Sequence, residues 1–174
     1  MTKDEFKTRV LPVKDKIFRL AFALLKSRSR AKDAVQDVYL KLWNMRRKLP
    51  KYNSVEALAI TITKNTCLDT LRSYRNRNQN KCGIEKMTIL ADRNNPVQEI
   101  EQKESFKQVH DIIKGLPDQQ RLILHLREIE QYTYDEIEEI TDMSRNNIRV
   151  TLSRGRKKVK EEYQKNQHYE GGKD

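Results

Sequence analysis

The chain has 174 residues, 36 of them Lys or Arg and 25 Asp or Glu, for a formal net charge of +11. That balance favours a polyanionic partner but does not choose among DNA, RNA and an anionic membrane surface. It has no run of about 18 apolar residues and no apolar block behind its first residues, so the sequence predicts no membrane insertion and no secretion, and places the protein in the cytoplasm.

Charged residues make up 35% of the chain and aromatics 7%, a composition that supports only small cores. Glycine and proline are scarce and β-branched alternation is absent, so the fold class is predicted as all-α. The expected organisation is two small helical domains joined by a flexible linker: 1–75, a linker over 76–104, a helix-turn-helix domain over 105–163 and a polar tail over 164–174. Cys67 and Cys82 are too few and too separated for a disulfide framework or a zinc site and read as reduced thiols.

Three helical patterns fill the first domain. Residues 13–26 form a core helix through Ile17, Leu20, Ala21, Leu24 and Leu25, and Pro12 suits its start because a first-turn proline forfeits no hydrogen bond. Residues 31–46 are amphipathic, with Ala31, Val35, Val38 and Leu42 on one stripe. The third pattern, 54–74, places Asn65 and Asp69 in line with Leu58 and Ile62. Polar groups so placed are either buried and hydrogen-bonded or exposed on a face that meets a partner. The following stretch opens Asn76-Arg77-Asn78-Gln79-Asn80-Lys81 and contains Arg93-Asn94-Asn95-Pro96, too polar to order itself by burial.

In the second domain the sign of charge flips at one turn. Residues 128–142 carry seven acids and no base, and residues 143–160 seven bases and no acid. Thr133 and Glu136 have capping-box spacing ahead of Ile137 and Ile140, and Ser144 is an N-cap for the cationic helix. On that helix Ile148, Leu152, Gly155 and Val159 form the inner stripe, while Arg149, Val150, Ser153, Arg154 and Lys157 project outward. A two-helix unit whose second helix alone is cationic is suited to a DNA groove; the bland alternative is a solvated basic helix at the end of a bundle.

The segment Asp33-Ala34-Val35-Gln36-Asp37-Val38-Tyr39-Leu40-Lys41-Leu42-Trp43 resembles the most characteristic helix of bacterial extracytoplasmic-function sigma factors. Ile62-Thr63-Lys64-Asn65-Thr66-Cys67-Leu68-Asp69-Thr70-Leu71-Arg72 is similar to the next helix of that family. Leu116-Pro117, Tyr134-Asp135-Glu136-Ile137 and Ile148-Arg149-Val150-Thr151-Leu152-Ser153-Arg154-Gly155-Arg156 follow in family order, so that the resemblance spans residues 6–160. Each motif alone is weak; their order is specific.

The resemblance implies that Gln36, Asp37, Leu40 and Lys41 dock on core RNA polymerase, and a helix face mixing leucine with amide and carboxylate suits such a contact. It implies that Tyr52, Asn53 and Asn65 handle an extruded base of the -10 promoter element. Lys51, Lys64, Arg72, Arg75 and Arg77 would hold phosphates. Asn65 reads equally as a core amide, and Asp69 as structural, because a carboxylate facing DNA repels phosphate. For the -35 element, Arg149, Val150, Ser153 and Arg154 occupy base-approaching positions, and Arg145, Arg156, Lys157 and Lys158 phosphate positions. Core polymerase and promoter DNA are the implied partners, with an anti-sigma factor added by family habit.

Departures from the family pattern are the loop before the third helix, which lacks the usual glycine and most aromatics, Ala59 where a bulkier residue is usual, and Val150-Thr151 in place of a frequent Ser-Arg pair. Asp142 replaces a common turn glycine and is among the few residues that tolerate a left-handed backbone. An enzyme is the chief rival reading, but His110, His125 and His168 lack ligand spacing and no phosphate loop or nucleophile-base pair is present. No catalytic residue, metal, cofactor or small-molecule substrate is expected. A DNA-binding regulator that works without polymerase and an RNA-binding protein are the remaining rivals, the latter disfavoured by few and scattered aromatics.

Overall fold

The computed structural model describes residues 2–79 and 102–170, with side chains described over 2–77 and 107–167. The chain divides into two compact units, and every regular element among the described residues is a helix. In the N-terminal unit α1 (Lys3–Val10) starts from a capping box: the Glu5 amide donates to the Thr2 side chain and Glu5 accepts from the Thr2 N–H at 2.9 Å. This helix is an addition to the three patterns expected from sequence. Pro12 sits in the first turn of a short 3-10 segment, Leu11–Val13, which leads into α2 (Lys14–Leu25).

Helix α2 ends at Lys26, whose φ of 56° reverses the chain, and Ser27 caps α3 (Arg28–Asn44). After a 3-10 turn at Leu49–Lys51, Ser54 accepts from the Ala57 amide at 3.0 Å and α4 (Val55–Gln79) begins. Helices α2, α3 and α4 pack on one another, with α1 against α4. Their shared core includes Phe6, Val10, Ile17, Val38, Leu42 and Leu49, and each buried aliphatic side chain of this size contributes about 1.5–3 kcal/mol relative to exposure. Phe6 meets the Trp43 ring edge-on at 5.1 Å.

The C-terminal unit comprises α5 (Gln102–Gly115), α6 (Asp118–Leu124), a π-helical turn (His125–Ile129), α7 (Tyr134–Thr141) and α8 (Arg145–Glu170). Arg121 is 1% exposed and ties the first two together. Its guanidinium donates to the Leu116 carbonyl at 2.7 Å and the Lys114 carbonyl at 3.2 Å, and meets Asp118 at 2.6 Å. His125 is buried, with Nε2 3.3 Å from Glu130 Oε1. Gly155 lets α8 lie against α6, since a Cβ there would come within 2.9 Å of Leu124 Cδ1.

The expected boundaries shift where no helix breaker intervenes. Residues 76–79 continue α4 and residues 102–104 open α5, so both ends of the expected linker are helical. The remainder of that linker, with Cys82, lies outside the described residues. The expected polar tail is helical from 164 to 170, because the sequence meets no glycine or proline before Gly171.

Candidate nucleic-acid interface

The turn between α7 and α8 fixes how the cationic helix is presented. Thr133 and Glu136 form the expected capping box at the start of α7, and Asp142 takes a left-handed φ of 57° at its end. Ser144 Oγ then accepts from the Asn147 amide at 3.3 Å, starting α8. Ile137 and Ile140 of α7 and Ile148 and Leu152 of α8 are buried, so the inner stripe is the one read from the sequence. On the outer side Arg145, Arg149, Val150, Ser153, Arg154, Arg156, Lys157 and Lys158 are all exposed.

Several of these cations already have carboxylate neighbours. Arg145 pairs with Asp135, and its backbone N–H donates to Glu138 Oε1 at 2.5 Å. Arg156 meets Glu128 at 2.5 Å, and Lys157 lies 3.8 Å from Glu161. These pairs are solvent-exposed and therefore weak, each worth at most about 1 kcal/mol, so phosphate oxygens can compete for the same groups. A feature that sequence reasoning missed is Tyr134. Its ring centroid lies 5.0 Å from the Arg127 guanidinium carbon, 5.4 Å from that of Arg149 and 6.0 Å from that of Arg145. Arg127 is held in turn by the Tyr132 carbonyl at 2.8 Å. No local periodicity signals this cluster, because its members come from three separate elements.

In the N-terminal unit Gln36, Asp37, Leu40 and Lys41 share an exposed face of α3, with Leu40 61% exposed. Lys41 Nζ donates to Thr66 Oγ1 at 2.8 Å, which anchors one edge of that face to α4. Leu49 is buried and roots the following loop, leaving Lys51, Tyr52 and Asn53 outside. Asn65 is exposed, which excludes the core-amide alternative. It lies about 15 Å along α4 from Val55, at about 1.5 Å per residue, so the loop and Asn65 mark two parts of a surface rather than one point.

One expectation for α4 is corrected. Lys64 is 7% exposed and so is not presented to a phosphate backbone; it falls on the side of α4 that also buries Thr63 and Cys67. Asp69 is exposed and lies 3.7 Å from Arg72, a neighbour one turn along the same helix. Arg72, Arg75 and Arg77 are exposed as expected. Burial pushes the Cys67 thiol up to about 12, against a smaller lowering by Lys41, so at neutral pH it carries a proton and is a poor nucleophile.

Comparison with known families assigns both units. The model for sigma-70 region 2 matches residues 10–77 and the model for sigma-70 region 4 matches residues 106–159. The chain belongs to the sigma-70 family. The resemblance to extracytoplasmic-function sigma factors is thereby upheld, and transcription initiation is the process this sigma factor serves. It is 26% identical over 140 residues to RNA polymerase sigma factor YlaC of Bacillus subtilis (strain 168), covering 80% of this chain and 81% of that protein. Its fold matches sigma factor RpoE of Bartonella quintana, solved in complex with the anti-sigma factor NepR. The TM-score is 0.73 at 20% identity, over 92% of this chain and 97% of that one. Region 2 thus corresponds to α2 through α4 and region 4 to α5 through most of α8, while α1 and residues 160–170 fall outside both matches. No helix among the described residues is long and apolar enough to cross a membrane.

Proposed function

We propose that this sigma factor binds core RNA polymerase in the cytoplasm and directs it to promoters by reading a -10 and a -35 element, without bond chemistry of its own. The observation that carries the reading is α8, where Arg149, Val150, Ser153 and Arg154 stand exposed on one side while Ile148, Leu152 and Gly155 are buried on the other. Arginine offers paired donors to a guanine edge and valine an apolar contact for a thymine methyl. Arg145, Arg156, Lys157 and Lys158 flank them as phosphate contacts, which set register without reading sequence.

The -10 function falls to Lys51, Tyr52, Asn53 and Asn65, with Arg72, Arg75 and Arg77 following the backbone. Tyr52, 44% exposed, supplies the flat surface on which an unpaired base stacks. Core polymerase docks on Gln36, Asp37, Leu40 and Lys41. The joining of the two units in one chain lets two weak DNA contacts add through effective concentration. An anti-sigma factor, the class of protein bound to the Bartonella quintana neighbour, is the regulatory partner this reading includes.

The test is run-off transcription with core polymerase on a promoter library. The protein should confer discrete start sites that core enzyme alone lacks. Arg149→Ala and Arg154→Ala should relax preference at one or two -35 positions, each base contact being worth about 1–3 kcal/mol. Gln36→Ala combined with Asp37→Lys should weaken polymerase capture with helical content unchanged. Absence of start-site selection by the wild-type protein with core enzyme overturns the reading.

A further inference from the structure

The ring of Tyr134 is placed where α7 begins, and the Thr133 capping box fixes that first turn: Glu136 accepts from the Thr133 N–H at 2.7 Å. Three guanidinium groups gather around this one half-buried ring, from the π-helical turn, from the first turn of α8 and from one turn further along α8. A guanidinium within about 6 Å of an aromatic centroid is attracted by the ring's quadrupole. The three are not equivalent. The Arg127 guanidinium donates to the Tyr132 carbonyl, and that of Arg145 pairs with Asp135 and lies 3.9 Å from Glu138 Oε2. Arg149 is exposed and has the ring as its contact on α7.

We propose that Tyr134 is a positioning residue for base recognition, its ring restricting the rotamers of Arg149 so that the guanidinium is aimed before DNA arrives. This inference rests on the reading of Arg149 as a -35 base contact. A long arginine side chain loses conformational freedom when it is fixed on a base edge, and a surface that already restricts it removes part of that loss. The effect belongs to the positions Arg149 reads and to no others. Arg145 has two carboxylates beside it as well as the ring, whereas Arg149 has the ring.

The experiment is selection from promoters with a randomised -35 element, using holoenzyme assembled with wild type, Tyr134→Leu, Tyr134→Gln, Tyr134→Phe or Arg149→Ala, alongside a thermal melt of each variant. Arg149→Ala flattens preference at the positions it reads. Tyr134→Leu and Tyr134→Gln should flatten the same positions by about two- to fivefold, the strength of an exposed cation–π contact, and leave the others as in wild type. Tyr134→Phe keeps the ring and should keep the profile. If Arg149→Ala alters the profile and both ring-free variants match wild type, or lower transcription uniformly in step with their melting temperature, the positioning role is overturned. If Tyr134→Phe fails like the ring-free variants, the hydroxyl and not the ring is responsible, and the proposal is again overturned. If Arg149→Ala itself leaves the profile unchanged, the -35 reading falls and the inference with it.

Discussion

In the N-terminal unit the large side chains that are fully buried are aliphatic, Ile17, Leu20, Leu24, Leu42, Leu49 and Ile60 among them, whereas in the C-terminal unit that set includes Arg121. The buried pair of His125 and Glu130 adds to the contrast. The C-terminal unit is built on the short helices α6 and α7, and short amphipathic helices bury little apolar area. A buried guanidinium bonded to two carbonyls and a carboxylate adds little net stability, yet its directed bonds hold the α5–α6 turn in one geometry. The difference teaches that the unit presenting α8 relies more on directional polar contacts, and the unit carrying the α3 face more on apolar area.

The largest expected effect tests that contrast directly. Arg121→Ala removes the guanidinium bonds to the Lys114 and Leu116 carbonyls and to Asp118 and should take about 3–5 kcal/mol from the C-terminal unit. The chain has one tryptophan, Trp43, so its fluorescence reports the N-terminal unit while far-UV circular dichroism reports both. The dichroism transition should move and the fluorescence transition should not. A shift of both by the same amount breaks the comparison.

Next in size is Gly155→Val, which overpacks the contact between α6 and α8 and should cost about 1–3 kcal/mol, read as a lower denaturation midpoint of the same unit. Gly155→Ala requires the Leu124 side chain to give, with Cδ1 at 2.9 Å and Cγ at 3.3 Å from the new Cβ, and gains about 1 kcal/mol of helix propensity, so it should come close to neutral. In the N-terminal unit Phe6→Leu preserves apolar character and loses the edge-on Trp43 contact, a change of about 1 kcal/mol beyond area effects, visible as a shift in Trp43 emission.

The smallest effect at neutral pH concerns Cys67. Its folded thiol titrates at about 12 against an ordinary 9.0, so above about pH 9 the unfolded chain loses a proton that the folded chain keeps. Stability is therefore unaffected below the unfolded value and falls as pH rises through the window between 9.0 and about 12. Cys67→Ala should flatten that decline, and native Cys67 should resist alkylation at pH 8 until denaturant is added.

The elements legible in the sequence were those whose burial follows a single period. The stripe of Ile148, Leu152 and Gly155 and the capping residues Thr133 and Ser144 stand as read, because helix phase and end chemistry are local. Helix α1 was not read, because its short polar segment shows little apolar period and only the spacing of Thr2 and Glu5 marks its start. Lys64 was misplaced because α4 is covered by α1, α2 and α3 together, and a helix with neighbours on several sides has no single exposed face to extrapolate. Tyr134 and the buried His125–Glu130 pair depend on the π-helical turn, whose extra residue per turn shifts side-chain phase in a way that composition does not announce.

The three non-glycine residues with a left-handed backbone, Lys26, Gln131 and Asp142, each stand just after one helical element and before the next. Among the described residues no glycine takes such a conformation. An L-residue there bears about 1–2 kcal/mol of steric strain, least for Asp, while glycine returns about 0.5–1 kcal/mol of it as chain entropy. Lys26→Gly and Gln131→Gly should therefore raise the melting midpoint modestly, and Asp142→Gly least. A more heat-tolerant form of this sigma factor is thus open at two turn positions outside the residues proposed for base and polymerase contact, which separates the engineering of its durability from that of its promoter choice.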